Sequence, residues 1–115
     1  MIEISREIFG YPIRVSASPA GDDWNIIITG GCTPHVGSVS LAEYQDGKVN
    51  LRNLLRAEHK DQIVSDRFAC ELALHHRCAV CVSCGIHFES PSGDDIKQIV
   101  SMADELLNEL CSIIG

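Results

Sequence analysis

Three short segments of the chain each carry a histidine among residues that suit an anionic ligand. The first is Thr29-Gly30-Gly31-Cys32-Thr33-Pro34-His35-Val36-Gly37-Ser38. Glycine accepts positive φ and lets backbone approach a ligand closely, so N–H groups around Gly30, Gly31 and Gly37 could form an anion nest, with Ser38 adding a hydroxyl. Pro34 restrains the chain just before His35. The second segment is Glu58-His59-Lys60-Asp61, placed where a helix should begin. A helix start offers free N–H groups and partial positive charge, and His59 and Lys60 add donors to it. Asp61 could instead serve as a carboxylate that stabilises the helix start. The third is Gly85-Ile86-His87-Phe88-Glu89, ending an apolar strand in which a histidine needs a hydrogen-bond partner. Taken singly, the first two read equally well as a tight turn and a solvated cap, and the third more readily as a satisfied core histidine. Taken together, two strand ends and a helix start can converge on one cleft.

Other residues compete for attention. Cys78-x-x-Cys81-x-x-Cys84 has a spacing that suggests a metal or an iron–sulfur cluster. In a strand, however, alternate side chains point to opposite faces, so Cys81 is directed away from Cys78 and Cys84. Small buried hydrophobes are the simpler reading. Cys32 is separate, since it lies in the Gly-rich segment. His75-His76 closes a helix, where imidazolium suits the dipole. No nucleophile elbow, P-loop or dinucleotide fingerprint is present, and the carboxylates form no obvious acid–base couple.

The elements that must position these residues follow from periodicity. Glu3–Ile8, Ile13–Ala17 and Trp24–Thr29 read as strands, the last strongly β-branched and broken by Gly30-Gly31. Val36–Tyr44 alternates, Asp46-Gly47 signals a hairpin turn, and Lys48–Leu55 returns. Residues 61–76 place Val64, Phe68, Leu72 and His75 on a helical stripe. Arg77–Phe88 is a further strand. Ser92 and Asp95 make a capping-box start for a long amphipathic helix through Ile114. This order predicts one α+β domain over residues 1–115: an antiparallel sheet of about five to six strands with two helices packed on one face. The other face must meet water or another subunit, and the apolar Trp24–Thr29 strand favours a homo-oligomer.

Composition narrows the partners. A net charge of −7 and a pI near 5.0 argue against nucleic acid and against an anionic membrane surface. Lys48, Arg52, Arg56 and Lys60 still form a local basic run, read as a solvated strand edge or as support for a small anion. No apolar run is long enough for a signal peptide or a membrane helix, and a cytoplasmic protein is expected.

Gly30-Gly31, Pro34-His35-Val36-Gly37-Ser38-Val39, His59-Lys60-Asp61 and Gly85-Ile86-His87, in this order and spacing, resemble the prenylated-flavin chaperone family, the small D subunits of gallate (phenolic acid) decarboxylases. The resemblance spans residues 26 to 112. It implies a non-catalytic protein that binds prenylated FMN (or FMN) without a metal. Such a protein would carry the cofactor between a flavin prenyltransferase and a UbiD-type decarboxylase. The matching positions are Gly30, Gly31, His35, Gly37, His59, Lys60, Gly85 and His87; the family's strand is Val-rich where this chain has its three cysteines. A competing reading makes His35, His59 and His87 a three-histidine zinc site of a small metal-dependent enzyme. A third is a partner subunit with no ligand.

Overall fold

The computed structural model describes residues 1–57 and 61–115. The elements are β1 (Ile2–Ile8), β2 (Tyr11–Ala20), β3 (Asp23–Gly31), β4 (Ser38–Gln45), β5 (Lys48–Leu55), α1 (Gln62–His76), β6 (Ala79–His87) and α2 (Gly93–Ile114). Every expected element is present, with ends shifted by a few residues. The most consequential shift is in β3, which runs on through Gly30 and Gly31 rather than breaking there.

The six strands form one sheet in the order β1-β2-β3-β6-β4-β5. The neighbouring pairs are antiparallel except β3 with β6, which run parallel. The sheet is therefore mixed within the expected α+β class. The parallel pair arises because α1 carries the chain back across the sheet, so the following strand enters the centre alongside β3. β6 suits that position: Val80, Val82 and Cys84 are wholly buried on the helix side, and both of its edges are paired.

Alternation sorts the strands into two faces. Ile13, Val15, Ile26, Ile28 and Val82 face the helices and meet Phe68 and Leu72 of α1 and Leu106 and Leu110 of α2. Alanines at 17, 42, 69 and 73 keep the layers close. Cys78 and Cys84 lie in this core while Cys81 is turned to the opposite face, as alternation requires. Burial, reinforced by the Asp61 carboxylate, pushes the Cys84 thiol well above its ordinary range, so it is a core filler and not a nucleophile. The opposite face has no helix over it, and Ile27 and Leu41 are exposed there.

α2 is capped at its start and tied to β1 in its second half. Ser92 Oγ accepts from Asp95 N and Asp95 Oδ2 accepts from Ser92 N, each at 3.0 Å, so aspartate completes the capping box. Arg6, on the helix side of β1, donates to Glu109 at 3.0 Å and lies 3.5 Å from Glu105. α1 departs from the sequence reading at its end. His75 is turned outward, 3.4 Å from Glu71, and not onto the core stripe. His76 is half-buried, and its Nε2 has no hydrogen-bond partner among the described residues. No helix among those residues is long and apolar enough to cross a membrane.

Phe68 is the largest fully buried side chain, at 1% exposure. Phe68→Ala should lower stability by about 3–5 kcal/mol through lost burial and the cavity left behind. Urea denaturation followed by circular dichroism measures this; a loss under about 1 kcal/mol would show that the core collapses around the gap.

Candidate functional site

The ends of the parallel pair organise the site. Gly31 stands opposite His87 in the register, and Cys32 N donates to the His87 carbonyl at 2.9 Å. Gly31 has φ +81°, and a Cβ there would run into that carbonyl. The backbone of Gly30 and Gly31 thus belongs to the sheet, which closes the end of β3 tightly onto β6.

On its other edge β6 loses its partner early. The β4 ladder begins at Ser38 opposite Cys84, and Gly37 N donates to the Cys84 carbonyl at 2.9 Å. Upstream of Gly37 the chain turns away, and the His35 backbone crosses over Gly85. A Cβ on Gly85 would collide with the His35 carbonyl, so the crossing requires glycine.

Asp61 fills the gap left by β4. Its Oδ1 accepts from Ile86 N at 2.9 Å, replacing a strand as ladder partner. Its Oδ2 lies 3.2 Å from His35 Nε2, and His35 Nδ1 lies 3.0 Å from the Thr33 carbonyl. Both ring nitrogens of His35 thus lie within hydrogen-bonding distance of an oxygen. Asp61 is the residue before α1, yet its side chain makes no cap bond to the helix. Its carbonyl accepts from Val64 and Ser65 N–H, each at 3.1 Å. The sequence suggested a helix-stabilising carboxylate; the structure uses this one to join helix, histidine and strand. It is 7% exposed.

The remaining predicted residues take different places. Ser38 is buried, its hydroxyl 2.8 Å from Ser65 Oγ, within a network that continues through Ser40 to Asp66. This network seats α1 on β4 and does not point to a cleft. Arg56 N donates to the Gly37 carbonyl and its guanidinium to the Val36 carbonyl, each at 2.9 Å, so part of the basic run holds the loop before β4. His87 pairs with Glu89 at 3.3 Å, not with the carboxylate that meets His35. His59 and Lys60 lie outside the described residues.

Beside the end of β6 is an apolar cleft of about 320 Å³, in the size range of small-molecule sites. Ile63 and Val64 of α1, Ile86 and Phe88 at the end of β6, and Ile96 and Val100 of α2 wall it, with Asp61 and His87 as its polar members. The starts of both helices and the carboxyl end of β6, one strand of the parallel pair, therefore meet at one depression, the usual place for a ligand in sheets with parallel strands. Sequence reading missed this cleft and the role of Asp61. The available signal was Ile63, an exposed isoleucine in the first turn of α1 that lies off its core stripe.

A family model described as the prenylated flavin chaperone LpdD-like domain matches residues 7–115. The chain belongs to this family. It is also 26% identical over 114 residues to Protein LpdD of Lactiplantibacillus plantarum, covering 97% of this chain and 84% of that relative. Among solved structures it is similar to a chain of "Crystal Structure of a Novel Chaperone Complex for Yeast 20S Proteasome Assembly", with a TM-score of 0.62, 14% identity, and 99% and 98% of the two chains covered. At that identity the likeness concerns the fold alone. The family membership agrees with a chaperone role.

Asp61→Ala should cost about 1–3 kcal/mol of stability, because it strands the Ile86 N–H and removes the carboxylate facing His35. Asp61→Asn keeps an acceptor for Ile86 and should lose less. Equal losses in urea denaturation would mean that the charge facing His35, and not the strand bond, carries the effect.

Proposed function

We propose that this protein is a non-catalytic cytoplasmic carrier for prenylated FMN, holding the cofactor in the cleft between the two helix starts. It would receive the cofactor from a flavin prenyltransferase and deliver it to a UbiD-type decarboxylase. The observation that carries this reading is the cleft: an apolar wall next to a helix start whose own N-cap side chain is engaged elsewhere. Ile63, Ile86 and Ile96 suit the prenyl-derived ring and the flat isoalloxazine. The α1 start suits the phosphate through its N–H groups and dipole. His87 and the His35–Asp61 pair provide polar groups at the edge. Family membership and the absence of a defensible nucleophile in the sequence both favour holding over catalysis.

Anaerobic titration of the purified protein with reduced and oxidised prenylated flavin, followed by flavin absorbance and fluorescence, tests this. Saturable one-to-one binding is expected. Ile96→Glu places a charge on the cleft wall at a half-exposed position, where the fold tolerates it. It should weaken binding about tenfold or more, given 1.5–3 kcal/mol for burying a large apolar side chain. No binding of either form, with the cofactor intact, would overturn the proposal.

The carrier is further proposed to self-associate through its helix-free sheet face. Across that face the register aligns Glu3, Ser16, Ile27, Ser83, Val39 and Leu54 in one row. Glu3 and Glu7 edge it on β1, and Lys48 and Arg52 on β5. A two-fold axis along the strands would set the acidic edge of one copy over the basic edge of the other. Light scattering should give twice the chain mass, and Ile27→Glu should return the monomer. A wild-type monomer at tens of micromolar would refute this.

A further inference from the structure

Beyond the end of the β3–β6 pair, Cys32, His87 and Glu89 bring a thiol, an imidazole and a carboxylate together. One ligand atom from each lies within 4.8 Å of the other two, the one such trio among the described residues. It differs from the three-histidine set, since His35 is engaged with Asp61.

The backbone holds the three donors in register. Cys32 N is bonded to the His87 carbonyl at 2.9 Å, and Cys32 Sγ itself lies 3.5 Å from that oxygen. After Glu89 the chain turns at Ser90, which has φ 43°, and Glu89 Oε1 sits 3.3 Å from His87 Nε2. Donor atoms around a tetrahedral zinc ion are roughly 3.3–3.6 Å apart, given Zn–S near 2.3 Å and Zn–N and Zn–O near 2.0–2.1 Å. The histidine–glutamate pair is already at that spacing. The thiol sulfur lies within 4.8 Å of both.

We propose that Cys32, His87 and Glu89 form a zinc site with one coordination position open. The donor set selects the ion: thiolate and imidazole favour zinc over magnesium or calcium, which require oxygen donors. Three protein ligands, all with some solvent access, match a site that exchanges its fourth ligand, unlike the closed four-ligand sets of structural zinc. Cys32 and Glu89 also border a small pocket of about 220 Å³ walled by Phe9, Tyr11 and Phe88. The rings of Phe9 and Tyr11 stand edge-on to Phe88, with centroids 6.0 and 6.2 Å away. The open position would take a small oxygen or nitrogen donor beside that aromatic wall. Phe88 and Pro91 also border the larger cleft, so the two depressions are neighbours.

The full chain, reduced and stripped of metal, is titrated with cobalt(II) as an optical probe and with zinc by calorimetry. One equivalent of cobalt should bind with a thiolate-to-metal charge-transfer band, and one equivalent of zinc should displace it. Cys32→Ser should lose the band, and His87→Ala should lose the one-to-one stoichiometry. Cys81→Ser, which removes the partly exposed thiol of the open sheet face, should keep both. Circular dichroism confirms that each variant is folded. Absence of the band in the wild-type protein would overturn the proposal, as would its survival in Cys32→Ser or its loss in Cys81→Ser. Stoichiometric binding by His87→Ala would also overturn it. The assay contains no flavin, so its outcome is separate from that of the carrier reading.

Discussion

The site exists because β4 leaves β6 before β6 ends, and a carboxylate takes the place of the missing strand. The bond from Ile86 N to Asp61 satisfies a backbone donor that would otherwise be left unpaired beside the core. It also fixes where α1 begins, and so where the first turn of that helix meets the end of the sheet. From the same carboxylate the contact to His35 orders the segment that crosses Gly85. Ladder completion, helix placement and histidine orientation therefore depend on one side chain.

The two edges of β6 solve different problems. Toward β3 the parallel pairing continues to Gly31 and seals tightly, with no side chain at position 31 to hold the strands apart. Toward β4 the pairing stops and the sheet opens into a cleft floored by Ile86 and Phe88. The apolar floor stays accessible because both helices begin beside it and run away over the rest of the sheet. Deeper under α1, buried hydroxyls of Ser38, Ser40 and Ser65 bond to one another and to Asp66. A fully bonded polar network of this kind sets the seating of α1 more narrowly than apolar contact alone.

Much of this fold was legible in the sequence because its patterns are local. Period-two alternation located the strands, the Asp46-Gly47 turn set the β4–β5 hairpin, and Ser92 with Asp95 started α2. Alternation also separated Cys81 from Cys78 and Cys84. What local pattern could not supply was pairing direction. Nothing in the residues of β3 states that β6 will lie alongside it in parallel, since that follows from the path of α1. The convergence of the Gly-rich segment with the strand carrying His87 was anticipated, but the carboxylates that meet the histidines were not. Asp61 reads as a carboxylate of the helix start, and Glu89 only as the end of its segment, until the fold brings them against His35 and His87. Ile96 falls on the apolar stripe of α2 and Ile63 off that of α1, and neither pattern says that the two helices stand on either side of one depression.

The contacts that build the site are all distant in sequence: 55 residues separate Cys32 from His87, 26 separate His35 from Asp61, and 25 separate Asp61 from Ile86. Contacts of this span close large loops and form only after the local hairpins and helices exist. The pocket should thus appear late in folding, with insertion of β6, and no half of the chain can contain it. During synthesis the β1–β5 segment would wait with its centre incomplete until the sixth strand emerges, so a formed cleft reports that the whole domain has been made.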